Sequence, residues 1–282
     1  MKKLLVTDLD NTLYDWVAFF AQSFKAMLDK THEITGIPTS KLISDFKKIH
    51  QYHGNTEHPF SVIELDCIKE YYGTEDRNIL LSKLDDALHA FNSTRKNILS
   101  CYEGVFDTLQ ELNSRGILIV GHTEAPVRNS LYRLEKLGIK KFFKHLYTPR
   151  DKFHDELDER TLSWLAEHES TLRLLTKDEL KPNPQLLIDI CEKEKVSVEE
   201  AVYIGDSIVK DISMANDAGV TSVWAEYGKQ HSPDYWSLLV SITHWTDEDV
   251  QREESLKTAL GKSKPAHTAK KFSDILHLFM EK

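Results

Sequence analysis

"GILIVGHTEAPVRNSLYRLEKLG", residues 116–138, decides the fold class. Ile117 to Val120 is an apolar run with no helical gap, so 117–123 reads as a buried strand ending on Thr123. A helix follows over 126–138, opened by Pro126 and closed by Gly138. The same alternation recurs outward from this unit. "GVFDTLQELNSRG" (104–116) is an amphipathic helix, "FFKHLYT" (142–148) a strand, and "AVYIGD" (201–206) another, whose helix runs to Gly219. "TSVWAEY" (221–227) supplies a fifth strand, and residues 3–8 at the N-terminus the first. Strands alternating with helices imply an α/β fold with a parallel sheet wrapped on both faces. Ligands of such sheets bind beyond the carboxyl ends of the strands.

One long interruption breaks the rhythm. From Asp15 the period becomes helical: Trp16, Phe19, Phe20, Phe24, Met27 and Leu28 share a face, and Gly36 precedes a stop at Pro38. Three more helical patterns follow near 40–50, 60–72 and 77–92, so residues 15–98 read as an all-helical insertion. Tyr14, Trp16, Phe19 and Phe20 are expected in the core of that insertion. The remaining core then comprises 1–14 and 99–282. Within it, 149–180 and 229–264 are expected to be accessory insertions, the second ending in a loose stretch, "LKTALGKSKP".

Bulk properties narrow the function. Of 282 residues 40% are hydrophobic and 29% charged, as in an ordinary globular protein. A net charge of −9 argues against a nucleic acid polymer or an anionic membrane surface as partner. Three widely spaced cysteines, Cys67, Cys101 and Cys191, make neither a disulfide framework nor a zinc site, and a cytoplasmic location is expected. "MKKLLVTDLD" opens like a signal peptide, but its apolar run stops at Val6 and no stretch is long enough to span a bilayer. Oligomeric state is not legible.

The polar residues at the strand ends carry the chemistry. The first strand delivers Asp8, with Asp10 and Thr12 just beyond; the second ends on Thr123; the fourth runs into "GDSIVKD", with Asp206 and Asp211. Lys181 stands in "KPNP", held extended by Pro182 at the mouth of the helix that Asn183 and Pro184 begin. Asp8 and Asp10, two apart on an extended segment, share a face. At ~6 Å and an effective dielectric near 20, their charges repel by about 3 kcal/mol. Four carboxylates without histidine or thiolate select a hard cation, for which Mg²⁺ is the usual choice. Lys181 and Thr123 suit the oxygens of a phosphoryl group.

"DLDNT" (8–12), a strand ending in Thr123, Lys181 and "GDSIVKD" (205–211), in that order, resemble the haloacid dehalogenase-like (HAD) superfamily, most of whose members are phosphatases. The helical insertion after the first motif resembles that superfamily's first type of cap. The resemblance implies a Rossmann-like core and covalent catalysis. Asp8 would attack phosphorus to form an aspartyl-phosphate, and Asp10 would serve as general acid and then base. Thr12, Thr123 and Lys181 would serve the phosphate site, Thr12 by stabilising the loop. Asp8, Asp10 through its backbone carbonyl, Asp206 and Asp211 would hold Mg²⁺. An acid at position 10 favours phosphate ester or anhydride hydrolysis over dehalogenation, which has no leaving oxygen to protonate. The implied function is a Mg²⁺-dependent phosphatase of a small phosphorylated metabolite. "DLDNTLY" resembles some pyrimidine 5′-nucleotidases, which suggests a nucleoside monophosphate. The alternatives are a phosphomutase, or a binding or regulatory protein with vestigial catalysis. Glu124 and Leu180 depart from the family pattern, which has a neutral residue and commonly glycine there. His53 and His58 fall where family members contact substrate.

Overall fold

The computed structural model describes residues 1–58, 60–151 and 157–280. The chain forms two compact units. The first comprises Met1–Asp15, Ser100–Gln230 and Glu253–Lys282; the second comprises Trp16–Leu99 and His231–Arg252.

The first unit is built on a seven-stranded parallel sheet: β1 (Leu4–Thr7), β2 (Leu118–His122), β3 (His145–Pro149), β4 (Leu172–Leu175), β5 (Ala201–Gly205), β6 (Thr221–Ala225) and β7 (His267–Ala269). Their order is β4-β3-β2-β1-β5-β6-β7. β1 lies centrally, pairing Val6 with Val120 on one side and Tyr203 on the other. Central strands are covered on both faces, which is why "LLVT" and "AVYIG" are wholly buried rather than alternating. On one face Leu4, Val6, Val120 and Tyr203 join Leu187, Ile190 and Met214 in a shared core. The chain steps outward from β1 to β4, then returns to β5 and steps the other way. That reversal opens a crevice at the carboxyl ends of β1 and β5.

Two strands lay outside the sequence reading. β4 falls within the supposed insertion 149–180, and only Leu175 of its four residues is buried, as suits an edge. β7 is a three-residue edge strand. Elsewhere in 149–180, Glu159–Ala166 is a helix, while 152–156 lie outside the described residues. The segment 229–264 is divided: helix Pro233–Ile242 belongs to the second unit, whose core takes in Leu239 and Ile242. "LKTALGKSKP" opens as the end of helix Asp247–Leu260.

The second unit holds helices Trp16–Thr35, Thr39–His53, Asp66–Tyr72, Arg77–Lys83 and Asp85–Ile98, with no strand among its described residues. Gly54 and Gly73 end two of them in the left-handed conformation that glycine adopts at least cost. The patterns at 60–72 and 77–92 each split, at Leu65 and Leu84. Phe20, Phe24 and Phe46 anchor this core, with the Phe24 and Phe46 rings edge-on at 4.7 Å. Tyr14 belongs instead to the first unit. No described helix is long and apolar enough to cross a membrane.

Candidate active site

β1 ends one residue before Asp8, whose N–H still donates to Ile204 O at 2.9 Å, continuing the ladder toward β5. The chain then turns sharply. Asn11 takes φ 58°, a left-handed value that asparagine tolerates better than most residues. The N–H groups of Thr12 and Leu13 return to Leu9 O at 3.2 and 2.8 Å. Thr12 is fully buried and donates its hydroxyl to Asp8 Oδ2 at 3.0 Å. It therefore stands behind Asp8 and fixes its carboxylate rather than lining the pocket.

Lys181 is 3% exposed and spans two carboxylates, with Nζ 2.6 Å from Asp8 Oδ1 and 2.8 Å from Asp211 Oδ1. Asn183 accepts from Leu186 N–H and caps the helix Pro184–Glu194, the local order expected from "KPNP". The Lys181–Pro182 peptide is cis. Asp211 accepts from Ser207 N–H at 3.0 Å and Tyr203 OH at 3.1 Å. It packs so tightly on β5 that a Cβ at Gly205 would lie 2.3 Å from its Cγ. Asp206 receives Lys229 Nζ at 3.2 Å on its carboxylate and Trp224 Nε1 at 2.9 Å on its carbonyl. Thr123 follows directly on β2, its N–H donating to Tyr147 O at 3.0 Å and its hydroxyl accepting from Ala125 N–H at 3.1 Å.

These groups enclose a pocket of about 160 Å³ lined by Asp8, Asp10, Thr123, Lys181, Asp206 and Asp211, among others, a space for a small ligand. Glu124 also lines it, and its charge is met by Lys210 Nζ at 2.9 Å, which resolves the conflict its sequence position poses for an anionic substrate. Burial pushes the Asp8 carboxyl well above the usual range, against the pull of Lys181 and with the repulsion of Asp211 and Asp206. Burial also raises Asp206, partly offset by Lys229. Burial disfavours the charge on Lys181, but Asp211 and Asp8 outweigh it and hold the ammonium well above its ordinary range. Buried carboxylates held this way gain from a further positive charge. Asp8, Asp206 and Asp211 each bring a carboxylate oxygen within 4.8 Å of the others. An all-oxygen donor set of this kind fits a hard divalent cation.

Asp10 also lines the pocket, and its partner escaped the sequence reading. Arg133 Nη1 donates to Asp10 Oδ1 at 2.5 Å, from a side chain only 1% exposed. A signal was present. In helix Val127–Lys136 an arginine falls beside Ser130 and Leu134 on the face that buries Val127 and Leu131. Lys229, on the turn after β6, was likewise unread.

His53 and His58 lie in the second unit and share Glu64, at 2.7 Å from His53 Nε2 and 3.7 Å from His58 Nδ1. Their rings stack at 3.7 Å with planes 18° apart. In-plane lone pairs of two stacked rings do not converge on one point, so this arrangement suits a shared carboxylate better than a metal ion.

Comparison with known proteins agrees with this architecture. The family model described as haloacid dehalogenase-like hydrolase matches residues 2–219, and a second, HAD-hydrolase-like model matches 180–274. The chain belongs to the haloacid dehalogenase-like hydrolase family. It is 26% identical over 236 residues to the glyceraldehyde 3-phosphate phosphatase of Methanopyrus kandleri, covering 81% of this chain and 86% of that one. It is 25% identical over 231 residues to a phosphoglycolate phosphatase of Pseudomonas syringae pv. tomato, covering 82% and 72%. In fold, this hydrolase is similar to the 2-haloacid dehalogenase from Pseudomonas syringae pv. tomato (TM-score 0.57, 16% identity, 99% and 98% covered).

Proposed function

We propose that this chain, a phosphoric monoester hydrolase of the HAD-like family, is a Mg²⁺-dependent phosphatase of a small phosphorylated metabolite that works through an aspartyl-phosphate. One observation carries the reading: Asp8, Lys181, Asp206 and Asp211 converge around one pocket at the carboxyl edge of the sheet. A carboxylate beside a buried ammonium suits attack on phosphorus, and phosphoryl transfer needs positioning and charge stabilisation above all.

Asp8 attacks phosphorus as the bond to the leaving oxygen breaks, and Asp10 gives that oxygen its proton. Asp10 then takes a proton from water, which attacks the phosphorus and frees Asp8. Lys181 and Thr123 hold the phosphoryl oxygens, and Thr12 keeps Asp8 in place. Held by Asp8, Asp206, Asp211 and the Asp10 carbonyl, Mg²⁺ would supply the charge that lets anionic substrate and carboxylate approach.

The helical second unit serves as a cap that selects the substrate. The named relatives favour a phosphorylated small acid or aldehyde, and the first motif keeps nucleoside monophosphates in the set. Three free cysteines support a cytoplasmic setting. The test is phosphate release across phosphorylated acids, aldehydes, sugars, nucleotides and 4-nitrophenyl phosphate, with and without Mg²⁺ and with Asp8→Asn as blank. Release that needs both Mg²⁺ and Asp8 supports the reading. Release that Asp8→Asn leaves intact, or no release from any ester, overturns it.

A further inference from the structure

Arg133 has no place in the chemistry just described, on which the following inference rests, yet it is one of the largest fully buried side chains of the protein. A buried guanidinium costs several kcal/mol unless a partner compensates it. Two of its partners, Asp10 and Tyr14, lie in one loop. Nη1 donates to Asp10 Oδ1 at 2.5 Å and to the Tyr14 hydroxyl at 3.4 Å, and the guanidinium carbon stands 5.7 Å from the Tyr14 ring centre. Tyr14 is itself fully buried, and the negative charge of Asp10 beside it helps keep its hydroxyl protonated. That loop is closed on itself by Asn11 N–H to Tyr14 O at 2.9 Å. Asp10 is thus gripped from behind by a helix outside its own loop, while 24% of its side chain stays exposed and it lines the pocket.

We infer that Arg133, supported by Tyr14, is a positioning residue that acts through Asp10, fixing the carboxyl group by one oxygen where its protonated form can hand a proton to the leaving oxygen. A carboxylate on a tight turn has freedom about two side-chain bonds. A buried guanidinium holding one of its oxygens removes most of that freedom, and a proton donor must sit within hydrogen-bond reach of the oxygen it serves. Lysine in this place would keep the charge but lose the planar fork that orients a carboxylate.

The inference separates from a purely structural role because only one class of ester needs the proton. A 4-nitrophenolate leaves without help, whereas an alkoxide requires protonation as the P–O bond breaks. kcat/KM covers steps only up to the first irreversible one, the phosphorylation of Asp8, so the later water-activating role of Asp10 does not mix in. Arg133→Met, Arg133→Lys and Tyr14→Phe are compared with the wild type on 4-nitrophenyl phosphate and on the best alkyl phosphate from the screen. Arg133→Met should lose on the order of 100-fold on the alkyl ester, the usual worth of general acid catalysis, and less than about 5-fold on the aryl ester. Arg133→Lys should recover part of the selective loss, and Tyr14→Phe should show a smaller loss of the same kind. If Arg133→Met does not fold, Arg133→Lys and Tyr14→Phe carry the comparison. Equal losses on both esters, or none on either, overturn the inference while the phosphatase reading stands. A wild type that Asp8→Asn leaves unchanged would remove the phosphatase reading itself, and this inference with it.

Discussion

Gly228 lies so close to Asn11 that a Cβ on it would stand 1.9 Å from the Asn11 carbonyl oxygen. The neighbouring Tyr227 donates its hydroxyl to Thr12 O at 2.7 Å. The turn after β6 therefore clamps the loop that carries Asp10, from more than 200 residues along the chain. Gly228→Ala must push that loop away or move the turn. A displacement near 1 Å can cost ~100-fold in rate, so kcat/KM should fall by at least about tenfold. Thermal unfolding and turnover, measured on the same preparation, check this. A variant as active as the wild type would show that the loop can yield without moving Asp10.

Asp8→Asn should reduce turnover to background without lowering Tm in Mg²⁺-free buffer. Burial pushes the Asp8 carboxyl well above its usual range, so its charge is held at a cost that the amide removes. Differential scanning fluorimetry with EDTA and a phosphate-release assay with Mg²⁺ test the two halves separately. A large drop in Tm would mean that the bonds from Lys181 and Thr12 stabilise more than burial costs.

What the sequence discloses follows from how abruptly each element ends. "LLVT", "ILIV" and "AVYIG" are continuous apolar runs that stop on polar residues, so Asp8, Thr123 and Asp206 could be placed at the sheet edge and do meet there. β4 gave no such signal, because an edge strand buries one face at most and Arg173 and the flanking charges look like solvated helix. The helix Pro233–Ile242 could not be assigned to its core, since sequence shows an apolar face but not its partner. Arg133 was hidden for a related reason: the 3.6-residue period marks a buried face, and a lone charge on it looks like an error in the pattern. Thr12 was placed in the right loop, yet whether its hydroxyl faces phosphate or Asp8 depends on one side-chain rotation.

Removing the buried ammonium should be harsher than removing the carboxylate. Lys181→Met leaves Asp8 and Asp211 facing each other without their shared cation, and breaking a buried pair costs roughly 3–5 kcal/mol. Urea unfolding in EDTA should show a loss of that order. Saturating Mg²⁺ should restore part of it, since a ligand at 100 times its Kd adds about 2.7 kcal/mol to a protein that binds it only when folded. No rescue by Mg²⁺, with Asp206→Asn equally unresponsive, would count against a cation at these carboxylates.

Acid should destabilise the second unit through His50. Its Nδ1–H donates to Ile242 O at 2.7 Å, with Nε2 facing Ser61 Oγ at 3.3 Å and the Phe24 and Phe46 rings beside it. Burial lowers its pKa to about 4; the Ile242 carbonyl opposes this, and His244 and His53 add to it. The folded state thus refuses a proton that the unfolded chain accepts below about 6.5. This contribution is fully present above pH 6.5 and declines as the pH falls toward 4. At about 1.4 kcal/mol per pKa unit it amounts to roughly 3 kcal/mol. Asp45 adds a second loss at lower pH. Burial works against its charge, but Lys48, the Cys67 N–H and Lys41 prevail and bring it to about 2, so its contribution disappears between about 3.8 and 2. Tm measured from pH 7.5 to 4.5 should fall more steeply in the wild type than in His50→Gln, which keeps a donor for Ile242 and cannot be charged. Parallel curves for the two proteins would mean that the histidine takes up its proton without unfolding this core.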